Sequence, residues 1–430
     1  MPWGRKKRKG PAGGLVYSVL EQGFTAPIRD PLWGHIYLTP ALEALTKAPQ
    51  FMRLYRILQL GPTYCVYPGA AHTRGSHAIG VYCLARRLLK HLADRGADAW
   101  ISPTGIRSFL AAALLHDLGH FPYAHSLKEL PLESHEALTA KIIQSEPMKK
   151  QISATGADPY MTAAIIDENL SAQGSGETEF YRKLLSGVLD PDKLDYLNRD
   201  ARYCGVPYGA QDVDFIFSRL HPHPKRGVDI DSKAVPSVES LLFSKYLMYR
   251  TVYWHPGVRS ATGMIKKSLL NAIQNQCISL EELYNLDDPG LFALLTGRNA
   301  PLLGLTDKVR EGNLYAKAAE FPYTPKLPPQ LLDITARYQY EETIAAEASR
   351  ILGVRVAPEE VIIDIPEPIT FETGLYIADE NRYFEQSSEV FTAEIVQTFT
   401  QTLRKIRVFV DPRYRSHQKV LRDIVHSTLG

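Results

Sequence analysis

The chain has 430 residues, 45% of them hydrophobic, which is enough to bury a large core and to form more than one folded unit. Its 49 basic and 47 acidic residues leave a formal charge of +2, without the basic excess expected of a protein that binds nucleic acid over its whole surface. Four cysteines (Cys65, Cys83, Cys204 and Cys277) lie far apart and form no CxxC pair, so reduced thiols in a cytoplasmic setting are expected rather than a disulfide framework or a zinc ribbon.

Taken in chain order, the run Arg5-Lys6-Lys7-Arg8-Lys9, followed by Gly10, Pro11, Gly13 and Gly14, predicts a disordered basic arm over residues 1–14. Residues 15–325 are expected to form an all-helical core. Apolar residues from Leu42 to Leu58 predict two helices broken near Pro49. Ser76 is expected to cap a helix running to about Asp94, with Val81, Leu84, Leu88 and Leu92 on its buried stripe. The next helix starts at Ser102 or Thr104, and its run Phe109–Leu115 is apolar all round and therefore central; Gly119 and Pro122 are expected to end it. Asp190-Pro191 reads as an N-cap followed by proline at the first helical position, with Gly205 closing that helix. Ser237 opens another helix, which stops before Pro256, and His221 and His223, flanked by prolines, read as an exposed loop. No apolar run approaches the roughly 20 residues needed to cross a bilayer, so no membrane partner is expected.

Beyond about residue 325 the character changes. Pro322, Pro325, Pro328 and Pro329 predict a linker or long loop. Val361–Ile365, Leu375–Ile377 and Ile406–Val410 read as strands, and helices are expected near 331–352, 391–405 and 414–428. The fold class is thus mainly α, with a small α/β appendage over 326–430.

The chemistry concentrates in His116-Asp117-Leu118-Gly119-His120. A carboxylate after an apolar run is costly to bury without a compensating partner. Alone, the pair fits a core His–Asp hydrogen bond as well as a metal site. Three further segments shift that balance: Arg74-Gly75-Ser76-His77; Asp192-Lys193-Leu194-Asp195-Tyr196 with Asp200, which puts Asp192, Tyr196 and Asp200 on one helix face; and His125 with His135-Glu136. Histidines and aspartates together form a mixed N/O donor set suited to a divalent ion such as Mn²⁺, Fe²⁺, Zn²⁺ or Co²⁺.

From about Asp30 to Tyr208 these residues resemble the HD-domain deoxynucleoside triphosphate triphosphohydrolases. The resemblance rests on Asp30–Ile36, Pro49–Leu54, Gln59-Leu60-Gly61, Tyr67–Ala70 with His72-Thr73-Arg74, the HDLGH block, and the DKLDY block with Arg199-Asp200. It implies an HD helical bundle over 15–325 in which His77, His116, Asp117 and Asp192 hold one divalent metal ion (Mn, Fe, Zn, Co, Ni or Mg). It further implies that Arg74, His120, Lys193 and Tyr196 contact the triphosphate, with Lys245 where relatives use an arginine. His125 would be the general acid, tuned by His135 and Glu136. Gln59, Leu60 and Asp200 would surround the deoxyribose, and Tyr253 would lie beneath sugar and base. The implied reaction releases a deoxynucleoside and inorganic triphosphate, and the implied assembly is a dimer or tetramer.

Several positions depart from the family pattern. Where activated relatives read guanine, this chain has Lys47, Met52 and Tyr55, and Arg29 replaces an asparagine, so another nucleotide activator, or none, is expected. Lys128 replaces an acidic residue that supports the catalytic imidazole in some relatives. Two other readings stay open: an HD phosphohydrolase acting on a nucleoside monophosphate or guanosine polyphosphate, and a nucleotide-sensing interaction protein.

Overall fold

The computed structural model describes residues 11–127, 129–130, 132–324 and 328–429, apart from the side chains of residues 11–13, 26, 125, 126 and 393. The helices follow from their ends. Thr73 accepts the Ser76 amide while the Ser76 hydroxyl caps the Thr73 amide, so the helix is Arg74–Asp94 and starts before its expected cap. This places Arg74 in the first turn and His77 one turn above the capping residue. Ser102 caps Pro103–Leu115, whose segment from Phe109 onward is entirely buried. That helix ends at Leu115 rather than at Gly119, so His116–His120 form the turn that follows it. Asp190 accepts the Lys193 amide, Pro191 fills the first turn, and Gly205 closes Pro191–Cys204 at φ 67°, as expected.

Glycine lets two of these helices meet. At Gly80 a Cβ would collide with the Asp195 carboxylate and the Arg199 guanidinium, so the Arg74 and Pro191 helices can pack this closely only without a side chain there. Val235–Met248 begins two residues ahead of Ser237 and runs into a π-helical turn, Tyr249–Tyr253, before Pro256 opens Pro256–Gln274.

Two antiparallel hairpins lie in the stretch expected to be helical: Ala26–Asp30 with Gly34–Leu38, and Leu220–His223 with Gly227–Ile230. His221 and His223 therefore sit in a strand rather than a loop. The appendage carries a three-stranded antiparallel sheet with Lys405–Val410 central between Ala316–Pro322 and Val361–Asp364. Ile334–Leu352 and Gln418–Leu429 cover it through Ile344, Ala348, Leu421 and Val425. The division expected at 325 falls between strands of this sheet, and Pro11–Gly14 belong to the helix Pro11–Glu21 rather than to a disordered arm. The basic run itself lies outside the described residues. Body and appendage are joined again where Ile377 pairs in parallel with Ile230, and where Ile362 and Phe409 pack with Met264 and Ile265.

Candidate active site

A cavity of about 610 Å³ opens between the helical body and the segment 365–372. On its floor the Arg74 helix, the turn after Leu115 and the first turn of the Pro191 helix bring His77, His116 and Asp192 together. Their ligand atoms all lie within 4.8 Å of one another. Asp192 Oδ1 is 2.9 Å from His77 Nε2 and 3.7 Å from His116 Nε2.

The second nitrogen of each histidine is committed. His116 Nδ1 lies 3.0 Å from the Ala113 carbonyl, so it carries the proton and Nε2 is the bare lone pair. That Nε2 is buried without a hydrogen-bond partner. His77 Nδ1 lies 2.8 Å from Asp195 Oδ2, and Asp195 is held by Arg199, which also bonds Asp30. A carboxylate behind a ligating imidazole fixes its orientation and raises its basicity. Burial opposes a charge on His77, but the Asp192 and Asp195 carboxylates outweigh it and raise its pKa to about 10. The His77 charge in turn overcomes burial at Asp192, holding that carboxyl well below its usual range. An orphaned imidazole nitrogen, a second imidazole pinned from behind and an ionised carboxylate fit a divalent ion.

Asp117 stands beside this trio and groups with His120 and His135, whose ligand atoms likewise lie within 4.8 Å. Its Oδ1 is 3.2 Å from His120 Nε2 and 3.3 Å from His116 Nε2, and Oδ2 accepts from Arg74 at 2.9 Å. Burial is outweighed by His116, His120 and Arg74, which keep the Asp117 carboxyl well below its ordinary range. Burial and the Arg74 charge hold His120 well below the usual imidazole pKa, and burial also lowers His135. The rings of His120 and His135 stack 3.9 Å apart, and Glu136 lies 3.3 Å from His135. This packing needs Gly119, where a Cβ would run into the His135 carbonyl.

The other expected residues line the same cavity: Gln59, Leu60, Lys193, Tyr196, Asp200, Lys245 and Tyr253. Asp200 is held by His72 at 2.8 Å and by the Tyr253 hydroxyl at 2.6 Å, so His72 is a supporting residue. The π-helical turn widens the helix between Lys245 and Tyr253, and both line the cavity. The side chain of His125 and all of Lys128 lie outside the described residues. The positions read against an activator site lie away from this cavity: Lys47 pairs with Glu43, Met52 is exposed, and Tyr55 packs against Gly75.

A profile of the HD domain matches residues 74–170, and a profile of the HD associated region matches residues 213–429. The chain belongs to this HD-domain family. Among curated relatives, an uncharacterized protein of Methanocaldococcus jannaschii is 31% identical over 69% of this chain and 60% of its own length. The uncharacterized protein YwfO of Bacillus subtilis is 34% identical over 57% of this chain and 55% of its own length. The deoxynucleoside triphosphate triphosphohydrolase SAMHD1 of Homo sapiens is 27% identical over 79% of this chain and 62% of its own length. The chain thus spans a little over half the length of these relatives. Two crystal structures share the fold at a TM-score of 0.71: a hypothetical protein of Aquifex aeolicus, 22% identical, and a phosphohydrolase of Bacteroides thetaiotaomicron, 23% identical. They cover 92% and 90% of this chain, and 99% of each is matched.

Around the site the structure adds residues to which sequence reading gave no role. Asp195 backs His77. Buried Arg53 donates to the Leu118 and His120 carbonyls at 2.6 Å, clamping the turn that carries His116 and Asp117. Thr139 donates to the His116 carbonyl at 3.0 Å and accepts the Gly119 amide at 2.8 Å. From the HD associated region, Arg259 and Lys266 bring further cations to the cavity wall, paired to Asp364 and Glu129.

Proposed function

We propose that this HD domain is a metal-dependent phosphohydrolase that converts deoxynucleoside triphosphates to deoxynucleosides and inorganic triphosphate. One observation carries the reading: a single cavity gathers the His77–His116–Asp192 donor group, the Arg74, Lys193 and Lys245 cations, and the Asp200–Tyr253 pair. His77, His116, Asp117 and Asp192 are assigned to the ion. When bound, a divalent ion lowers the pKa of a water ligand toward roughly 7 and polarises a phosphoryl oxygen.

The chain's own residues do the rest. Arg74, fixed on Asp117, and Lys193 supply positive charge where it gathers on the phosphates. Tyr196 and Lys245 are assigned to the same triphosphate. His120 and His135, kept neutral by burial, contribute imidazole hydrogen bonds without adding charge. His125 is assigned to protonation of the departing 5′-oxygen, and His135 and Glu136 to tuning it. Asp200 has one oxygen on His72 and one on Tyr253, with lone pairs left to accept the sugar 3′-hydroxyl beside Gln59 and Leu60. The SAMHD1 relatives, named as deoxynucleoside triphosphate triphosphohydrolases, support this substrate class. A homo-oligomer, with a nucleotide activator other than guanine or with none, belongs to the same reading.

The test is to incubate the purified chain with Mn²⁺, Mg²⁺, Co²⁺ or Fe²⁺ and each deoxynucleoside triphosphate, singly and in pairs. At least one combination is expected to yield deoxynucleoside and triphosphate. Absence of these products across the whole panel rejects the proposal. Turnover of nucleoside monophosphates or guanosine polyphosphates instead would support the second HD phosphohydrolase reading.

A further inference from the structure

The segment 365–372 follows the sheet strand Val361–Asp364 and lines the cavity. It is anchored at both ends. Arg404 donates to the Pro366 carbonyl at 2.7 Å, and Thr373 bonds Glu385. Between these anchors it engages both lysines of the proposed phosphate site.

Lys193 Nζ meets Asp190 Oδ2 at 2.7 Å, the Gly187 carbonyl at 3.0 Å and Glu372 Oε2 at 3.0 Å. An ammonium has three protons, so all of them are committed. Lys245 Nζ donates to the Thr370 carbonyl at 2.8 Å. The partners of Lys193 differ in how easily they leave. Asp190 is buried and its other oxygen caps the helix, and Gly187 offers backbone. The Glu372 side chain is 42% exposed, and no other hydrogen bond holds its carboxylate among the described residues. A carboxylate oxygen on an ammonium has the charge and the hydrogen-bond geometry that a phosphate oxygen would have in the same place.

We propose that Glu372 is a built-in competitor for the substrate's phosphates: its carboxylate occupies Lys193, and a polyphosphate binds by displacing it and freeing the strap 365–372 from Lys193 and Lys245. This rests on the nucleotide-hydrolase reading above and extends it to what sets substrate affinity. A ligand that binds only the displaced state has its affinity lowered by the fraction of molecules in that state. Removing the Glu372 charge removes that reduction.

Inorganic triphosphate is the probe, titrated calorimetrically into the full-length Mn²⁺-loaded chain and into Glu372→Gln. The variant is expected to bind it about tenfold more tightly, since the fraction of competent molecules rises toward one. Hydrogen exchange at residues 365–373 of the unmutated chain is expected to increase when triphosphate is added. Equal affinity in the two proteins, or a strap whose exchange does not respond, overturns the inference. The two readings fail separately. A strap that responds to triphosphate in a chain that hydrolyses no deoxynucleoside triphosphate leaves Glu372 its role and removes the proposed reaction.

Discussion

At the scale of single residues, the centre depends on how its two imidazoles are held. His116 turns Nδ1 to a carbonyl and keeps Nε2 bare, and His77 is pinned by Asp195. His116→Ala is expected to leave less than about one hundredth of the bound metal and of any hydrolase activity, because it removes one of the three converging ligand atoms. Metal content after dialysis checks this without reference to turnover. Asp195→Asn is expected to weaken metal binding by about 10–100-fold, as loss of an orienting carboxylate does. It should also cost about 3 kcal/mol in urea unfolding, since Arg199 remains buried and, among the described residues, keeps Asp30 alone as a carboxylate partner. Unchanged metal affinity in this variant would remove Asp195 from the site. His77, His116 and Asp192, whose ligand atoms the structure brings together, were named from the sequence through the family resemblance, while residue chemistry alone left the His116-Asp117 pair open between a metal site and a core hydrogen bond. Asp195 was not: an acid four residues before an arginine on one helix face also reads as an ordinary i,i+4 partner of Arg199, and only the crossing of the two helices brings it to His77.

At the scale of elements, helix ends were readable and helix contacts were not. Capping chemistry is local, so Asp190-Pro191 and Gly205 located their helix correctly. The Thr73 capping box moved its neighbour's start by a few residues and brought Arg74 inside the helix. Gly80 carries no local signal of its role, which lies in the close approach of the Pro191 helix. Gly80→Ala is expected to push Asp195 and Arg199 aside, costing about 1–3 kcal/mol in chemical denaturation and lowering metal affinity with it. In the appendage, Glu320 on the strand Ala316–Pro322 pairs with Lys405 at 3.1 Å and with Arg407 at 2.8 Å on the neighbouring strand. Burial works against its charge, but these cations outweigh burial and bring its pKa down to about 2. A carboxyl lowered in the folded state stabilises above its unfolded pKa of roughly 4.3 and loses that contribution as the pH falls toward 2. Glu320→Gln is therefore expected to cost about 1–2 kcal/mol at pH 7, after allowance for its partial exposure, and close to nothing near pH 2. Paired unfolding curves across that range decide it.

At the scale of the whole molecule, body and appendage share structure. Ala316–Pro322 pairs with Lys405–Val410, Tyr376–Ile377 extends the sheet that begins at Leu220, and residues 365–372 line the cavity. A chain ending at residue 325 would bare Met264 and Ile265 where Ile362 and Phe409 now cover them. Such a truncation is expected to aggregate or to unfold without a cooperative transition, as judged by solubility and thermal circular dichroism. A soluble fragment that melts cooperatively and binds metal would show the body to be independent. The early hairpins were missed because their strands are only five and four residues long and contain Pro27 and Pro222, which argue against strands.

By itself the sequence determined the helical class, the order of the main helices and the α/β character of the C-terminal part. All of these follow from periodicity, caps and residue chemistry over short spans. Only the tertiary structure decided which carboxylate stands behind His77, that Asp117 turns toward Arg74 and His120, that the appendage's sheet reaches back to Ala316, and that Glu372 lies on Lys193. Each of those contacts joins residues far apart in the chain. Their formation depends on how packed helices and paired strands close the distance, and no local pattern encodes that.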